Sequence, residues 1–287
     1  MGVVVIEDHS LRERFQRGGE VAHDARVALD SYFRLLDDVF PICGEIETVA
    51  AYDAYLRDPS MEWDIVMLTD ASNGRIIGGI QWQPLRNVAA SWIDALAWVE
   101  HVWLADEPGV RSYPSFRHLL ATVRKHMCQQ RVDVGFMEFN DPQKMMPEEM
   151  EQDAVGGLST SDRLLLWARM GLCELVHWTV DRRRMTVPYA QPAMEGGPPV
   201  RMLSLGFFAL TQELTGVRLS AEDYLQILYR AHSTIRTVDP STDPTCLEYT
   251  AAVNMLHPAS FEFAPLKQRI AADVGKRTPR RRRGRGD

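Results

Sequence analysis

The segment from Trp92 to Leu104, WIDALAWVEHVWL, constrains the fold more than any other stretch of the chain. Successive side chains of a strand point to opposite faces. Trp98, Val102 and Leu104 then fall on one face and Val99 and Trp103 on the other, so both faces are apolar. Such a strand belongs in the middle of a sheet covered on both sides. Glu100 and His101 interrupt it, one per face. Ionisable side chains are seldom buried without a partner or a task, which makes this pair the first candidate for chemistry.

The flanking sequence supplies the covering layers. Apolar residues recur at near-helical spacing from Glu20 to Phe40, and Pro41 stops that helix; a second helix is predicted from Glu45 to Leu56, ending at Asp58-Pro59. Trp63–Leu68 and Arg75–Trp82, joined by Asp70–Gly74, read as an antiparallel hairpin. After the central strand come a helix from Pro114 to Cys128 and a strand from Val132 to Phe139. Residues 143–160, rich in Met, Glu and Gly, read as a loop. Ser161 is expected to cap a helix over Asp162–Met170 that ends at Gly171, and strands follow at Leu172–Val180 and Met202–Leu210. Helices are predicted from Ser220 and within Thr245–Leu256.

Charge and composition exclude several classes. The 287 residues carry a net charge of −7, but residues 276–287 hold seven basic residues and one acid, leaving the other 275 at −13. An acidic body argues against a general nucleic-acid binder. The basic tail is expected to be disordered. No apolar run is long enough to span a membrane. Cys43, Cys128, Cys173 and Cys246 are far apart, with no CxxC pair, and read as free thiols of a cytoplasmic protein without a zinc site.

The order helix, helix, hairpin, central strand, helix, strand, helix, strand, strand resembles that of the GNAT acyltransferase superfamily over roughly residues 1–210. In that family a strand of pattern E-x-x-x-V precedes R/Q-x-x-G-x-G/A at the start of a helix, and the backbone there grips the pyrophosphate of acyl-CoA. Glu100 precedes Leu104 at the strand spacing, and Arg111-Ser112-Tyr113-Pro114-Ser115-Phe116 followed by Arg117 stands where the phosphate loop belongs. A helix N-terminus favours a phosphate through its unpaired N–H groups and dipole. Here Pro114 removes one N–H, and Phe116 replaces a glycine with a bulky ring. The family's Tyr-x-x-x-Gly-Phe segment is similar to Leu166–Leu172, with Trp167 near the tyrosine position, and indole cannot donate a proton as a phenol does. Val187–Pro192 also resembles a segment of larger bacterial members.

The resemblance implies a GNAT-like α/β fold, a mixed, largely antiparallel central sheet flanked by helices, over 1–210; the residues beyond it read as a helical C-terminal extension over 211–270 and a disordered basic tail over 271–287. It implies transfer of an acyl group, acetyl first, from acetyl-CoA or another acyl-CoA as co-substrate to a small-molecule primary amine, without a metal. A homodimer is compatible with it.

Such a reaction needs a base for the ammonium, donors for the thioester carbonyl and optionally an acid for the thiolate. Glu100 is the first candidate base and His101 the second; a structural carboxylate and a satisfied core histidine are the competing readings. The main chain of Val102 and Leu104 would face the carbonyl. Arg111, Ser112, Ser115, Phe116, Arg117, Asn140 and Trp167 are the candidate acyl-CoA contacts. Tyr189 is the candidate acid in place of the missing phenol. Two alternatives stay open: a non-CoA donor such as aminoacyl-tRNA, which would give the tail a salt-sensitive role, and a catalytically silent relative that binds a ligand or partner protein.

Overall fold

The central strand lies where its two apolar faces demand. The computed structural model describes residues 6–39, 48–90, 93–105, 110, 113–154, 159–179, 181, 183–193, 198–210, 213–234, 238–256 and 260–277. The chain runs β1 (Ile6–Ser10), α1 (Leu11–Arg17), α2 (Gly19–Val39), α3 (Val49–Arg57), β2 (Asp64–Asp70), β3 (Ile76–Ala90), β4 (Ile93–Leu104), α4 (Tyr113–Gln129) and β5 (Val134–Asn140). It continues through α5 (Pro147–Ala154), α6 (Thr160–Arg169), β6 (Cys173–Trp178), β7 (Arg184–Thr186), β8 (Leu203–Ala209), β9 (Arg218–Ser220), α7 (Ala221–His232), α8 (Pro244–Asn254), β10 (Ser260–Pro265) and α9 (Leu266–Arg277).

These strands form one sheet in the order β1-β2-β3-β4-β5-β8-β6-β10-β9, with β7 on β6. Among the described residues every pairing is antiparallel except β4 with β5. A parallel pair needs a long crossover, and α4 provides it. The fold class is therefore the expected mixed, largely antiparallel sheet flanked by helices.

Alternate residues of β4 and β5 divide between two apolar clusters. Ala97, Val99, Met137 and Phe139 belong to one cluster with residues of α1–α4 and α6, while Leu96, Trp98, Val134 and Phe136 belong to a second with Tyr224, Ile227 and Leu228 of α7 and Tyr249 of α8. Leu104 joins Val99 in the first cluster, not Trp98, and that cluster reaches both faces at this end of the sheet, since the consecutive Trp103 and Leu104 both belong to it. The expected alternation fails there because an extra residue in β4 shifts its phase, as described below.

Several boundaries differ from those the sequence predicts. β3 runs on to Ala90, past Trp82, and pairs with β4 through Gln83↔Trp98 to Arg86↔Ala95. Pro84 is tolerated because the β2 pairing ends at Asp64↔Trp82, leaving one flank of β3 open. Residues 147–154 of the expected loop form α5, with Pro147 in the first turn and the Glu149 carboxylate accepting from the Met146 N–H at 2.7 Å. Two turns are too short to show periodicity. Ser159, not Ser161, caps α6. Gly171 follows α6 at φ 84°, a conformation that favours glycine.

The C-terminal extension contains the expected helices and also adds strands. β10 pairs with β6 (Phe263↔Leu175), and β9 pairs with β10. Phe261 and Phe263 are thereby buried beside Phe207. Residues 271–277 of the segment expected to be disordered continue α9, and 278–287 lie outside the described residues.

A buried charge cluster fastens α9 to the sheet. Arg269 pairs with Asp141 at the end of β5 and with Glu174 of β6 at 3.2 Å; Glu174 also accepts from Arg184 at 2.7 Å, and Ser204 donates to Asp141 at 2.7 Å. Burial opposes ionisation of Asp141, but the Arg269 guanidinium holds its carboxyl below the usual range. Burial raises that of Glu174 despite its arginines. Arg269→Met strands these carboxylates in the interior, and denaturant titration should show a loss of about 3–5 kcal/mol.

Candidate active site

The parallel pair of β4 and β5 is short. Its rungs run from Leu96↔Val134 to Val99↔Met137 and then stop. β4 continues to Leu104 against β3, while β5 continues through Glu138, Phe139 and Asn140 against β8. Past Val99 and Met137 each strand follows a different neighbour, so no ladder joins them among the described residues, and the gap between their facing flanks is the cleft.

A β-bulge marks the start of the cleft. Gln81 pairs with His101 and Trp82 with Val99, so Glu100 is an extra residue in β4 with no counterpart on β3. The Ala105 N–H donates to the Ile77 carbonyl at 2.9 Å. Hydrogen-bonded and non-bonded pairs alternate along an antiparallel ladder, so Trp103 also faces β3 while Val102 and Leu104 direct their N–H groups away from it, toward the cleft. Gly79, opposite Trp103, carries no side chain because the Tyr32 ring occupies that space; a Cβ would lie 2.6 Å from it.

Two carboxylates stand at the apex. Glu100 and Glu138 each follow the last rung on their strands, beyond the stacked rings of Trp98 and Phe136 (6.3 Å, 8°). Glu100 Oε1 accepts from Trp63 Nε1 at 3.0 Å and from Gln83 Nε2 at 3.4 Å. Gln83 uses its other amide hydrogen on Thr234 Oγ1, at 2.7 Å, just after α7. His101 is engaged through Nδ1 with Gln81 Oε1 at 2.9 Å. Glu138 accepts from the Tyr189 hydroxyl.

That hydroxyl begins a buried chain. Tyr189 Oη lies 3.2 Å from His232 Nε2, and His232 Nδ1 lies 2.9 Å from Tyr249 Oη and 3.7 Å from Cys246 Sγ. Burial drives the His232 imidazolium pKa down to about 3, so the ring is neutral and carries one N–H. The Tyr189 hydroxyl donates its hydrogen bond to Glu138, so its oxygen accepts from His232 Nε2–H, and Nδ1 accepts from Tyr249. Burial also raises Cys246 to about 11, keeping it a thiol.

The sequence singles out Glu100, His101, Val102, Leu104 and Tyr189, and the structure brings these to the cleft or its apical network. α4 begins at Tyr113, after β4 ends at Leu104, and Arg111 and Ser112 fall outside the described residues. Ser115 is buried and Arg117 exposed. Phe116 packs edge-on against Trp167 at 5.0 Å, so both rings belong to the core. The Asn140 amide donates to Asp153 of α5 at 2.7 Å. Among the described residues no His, Cys, Asp and Glu group could hold a metal, and no helix is long and apolar enough to cross a membrane.

Glu138 and His232 escaped the sequence reading. Both had a signal: Glu138 shares its strand face with Val134 and Phe136, and His232 continues the apolar stripe of Tyr224 and Leu228 on α7.

No family model and no curated protein matches the chain. Solved structures do. An aminoglycoside 6'-N-acetyltransferase complexed with coenzyme A is 11% identical, with a TM-score of 0.43, over 73% of this chain and 98% of its own. The aminoglycoside 6'-N-acetyltransferase of Enterococcus faecium is 11% identical, with a TM-score of 0.42, over the same shares. The ribosomal-protein-S18-alanine N-acetyltransferase of Escherichia coli is 10% identical, with a TM-score of 0.40, over 73% of this chain and 96% of its own.

The buried histidine makes a pH prediction. Its folded pKa of about 3 lies below the ordinary 6.5, so the neutral ring is fully compatible with folding above 6.5 and stability falls as pH drops from 6.5 toward 3. The shift corresponds to about 5 kcal/mol across that window. Unfolding free energies between pH 7 and 4 should show this slope, and His232→Gln should remove it.

Proposed function

We propose that the protein is a GNAT-type N-acyltransferase that moves an acyl group, acetyl first, from acyl-CoA to a primary amine by direct attack on the thioester. The observation that carries this reading is the β4–β5 cleft, with two outward N–H groups on one wall and two carboxylates at its apex. A thioester carbonyl against Val102 and Leu104 would meet donors already oriented by the β3 ladder, which favours developing negative charge without reorganisation.

The pyrophosphate of acyl-CoA would meet the start of α4. A helix start has four unpaired N–H groups, and Pro114 removes one of them, leaving those of Tyr113 and Ser115 in the first turn of α4. Bound acyl-CoA supplies an activated carbonyl and a thiol leaving group.

The side chains divide the remaining work. Glu100, fixed by Trp63 and Gln83, takes a proton from the incoming ammonium; its charge and that of Glu138 also attract the cation. The amine nitrogen then bonds the carbonyl carbon as the C–S bond breaks. Tyr189 gives its hydroxyl proton to the departing sulfur and regains one from solvent, and the second amine proton leaves to solvent. His101, held by Gln81, assists the shape of the bulge beside Glu100.

Calorimetric titration with acetyl-CoA and CoA, and thiol release with hydroxylamine, ethanolamine and spermidine, test the reading. Micromolar binding with amine-dependent release is expected. Glu100→Gln should lower the rate with ethanolamine or spermidine by about 10²–10⁴-fold, and Arg111→Ala should weaken CoA binding. No binding up to millimolar acetyl-CoA, or full activity in Glu100→Gln, would sink it.

A further inference from the structure

We infer that His232, at the C-terminal end of α7, is a positioning residue for Tyr189, so that the C-terminal extension forms part of the catalytic site. This rests on the acyl-transfer reading above.

The argument begins with cost. His232 is buried, and its neighbours Trp98, whose ring centroid lies 6.3 Å away edge-on, Tyr189, Tyr249 and Cys246 all belong to the second apolar cluster. A leucine would fill such a space without the desolvation of an imidazole. The histidine is instead bonded at both nitrogens, to Tyr189 from Nε2 and to Tyr249 from Nδ1. Its protonation is set from both sides, and the one N–H it carries is aimed at the Tyr189 oxygen.

The backbone around Tyr189 is fastened by Tyr224, which donates to the Pro188 carbonyl at 3.0 Å, and by the Gln191–Val200 bridge, so what His232 and Glu138 determine is the placement of the hydroxyl. Tyr189 follows Pro188 in an irregular segment between β7 and β8. Its ring stacks on Tyr249 at 6.4 Å, and its hydroxyl is held by Glu138 and His232. Glu138 alone would retain the phenol proton as an acceptor. The opposing N–H of His232 stabilises the oxygen as that proton leaves, sharing the negative charge that develops when the C–S bond breaks and the sulfur is protonated. The same end of α7 is fastened a second time by Thr234, which accepts from Gln83, itself a donor to Glu100. One turn of the extension therefore bears on both reacting groups.

The test uses the full chain with acetyl-CoA and hydroxylamine, a small nucleophile that is uncharged at neutral pH and needs little help from Glu100. His232→Phe should lower kcat by about 10- to 100-fold at unchanged KM for acetyl-CoA, because the phenol is misplaced rather than the donor site. His232→Gln, whose side-chain amide can replace the Nε2–H donor, should recover most of the loss. A purely structural role would lower both variants in step with their folded fraction. If His232→Phe does not fold, Tyr249→Phe removes only the donor to Nδ1 and should give a smaller loss in kcat. Wild-type kcat in His232→Phe or Tyr249→Phe, or an equal loss in the Phe and Gln variants, overturns the inference alone. Wild-type protein that neither binds acetyl-CoA nor forms acetyl hydroxamate overturns the acyl-transfer reading and this inference with it.

Discussion

A parallel pair of strands set inside an antiparallel sheet has competing obligations, and the rest of this molecule follows from how they are met. β4 is drawn along β3 by an antiparallel ladder that extends to Leu104, and β5 is drawn along β8 as far as Asn140. Four rungs join them before the two ladders pull apart. Backbone polar groups in a folded interior are nearly always paired, so a strand flank with no paired strand among the described residues is a conspicuous feature. The bulge at Glu100 makes the divergence sharper, adding twist to β4 where it departs from β5.

Packing then determines what faces that flank. On β3, Gly79 faces the Tyr32 ring of α2 and Gln83, on the same face, bonds Thr234 just after α7, so α2 and α7 lie on one side of the sheet, and the two apolar clusters meet the alternating residues of β4 and β5. The extension is integrated rather than appended, since β10 lies beside β6 and α9 is fastened by Arg269 to the end of β5. Through α7 it places a neutral histidine and a threonine within hydrogen-bond reach of the groups at the apex. Residues far apart in sequence thus converge where β4 and β5 part.

Much of this was legible in the chain itself, for physical reasons that also explain the gaps. WIDALAWVEHVWL identified β4 because burial on two faces leaves a two-faced apolar run, and its charged pair drew attention to the apex. The bulge left no local trace, because register is fixed across strands, by Gln81 and Trp82, and not within β4. It inverted the facing of Leu104 relative to Trp98. α5 was hidden by its length, and β10 by its brevity and closing Pro265. Tyr189 was visible as a phenol in a proline-flanked segment, but its partners could not be, since Glu138 is 51 residues away and His232 is 43.

The claim on which the account turns is that the flank of β4 receives the thioester, and backbone amide hydrogen exchange measures this directly. Exchange at Val102 and Leu104 should slow when acetyl-CoA is added, while that of Trp103, already bonded toward β3, should change little. Unchanged exchange at Val102 and Leu104 under saturating acetyl-CoA, with protection appearing on another surface, would contradict it.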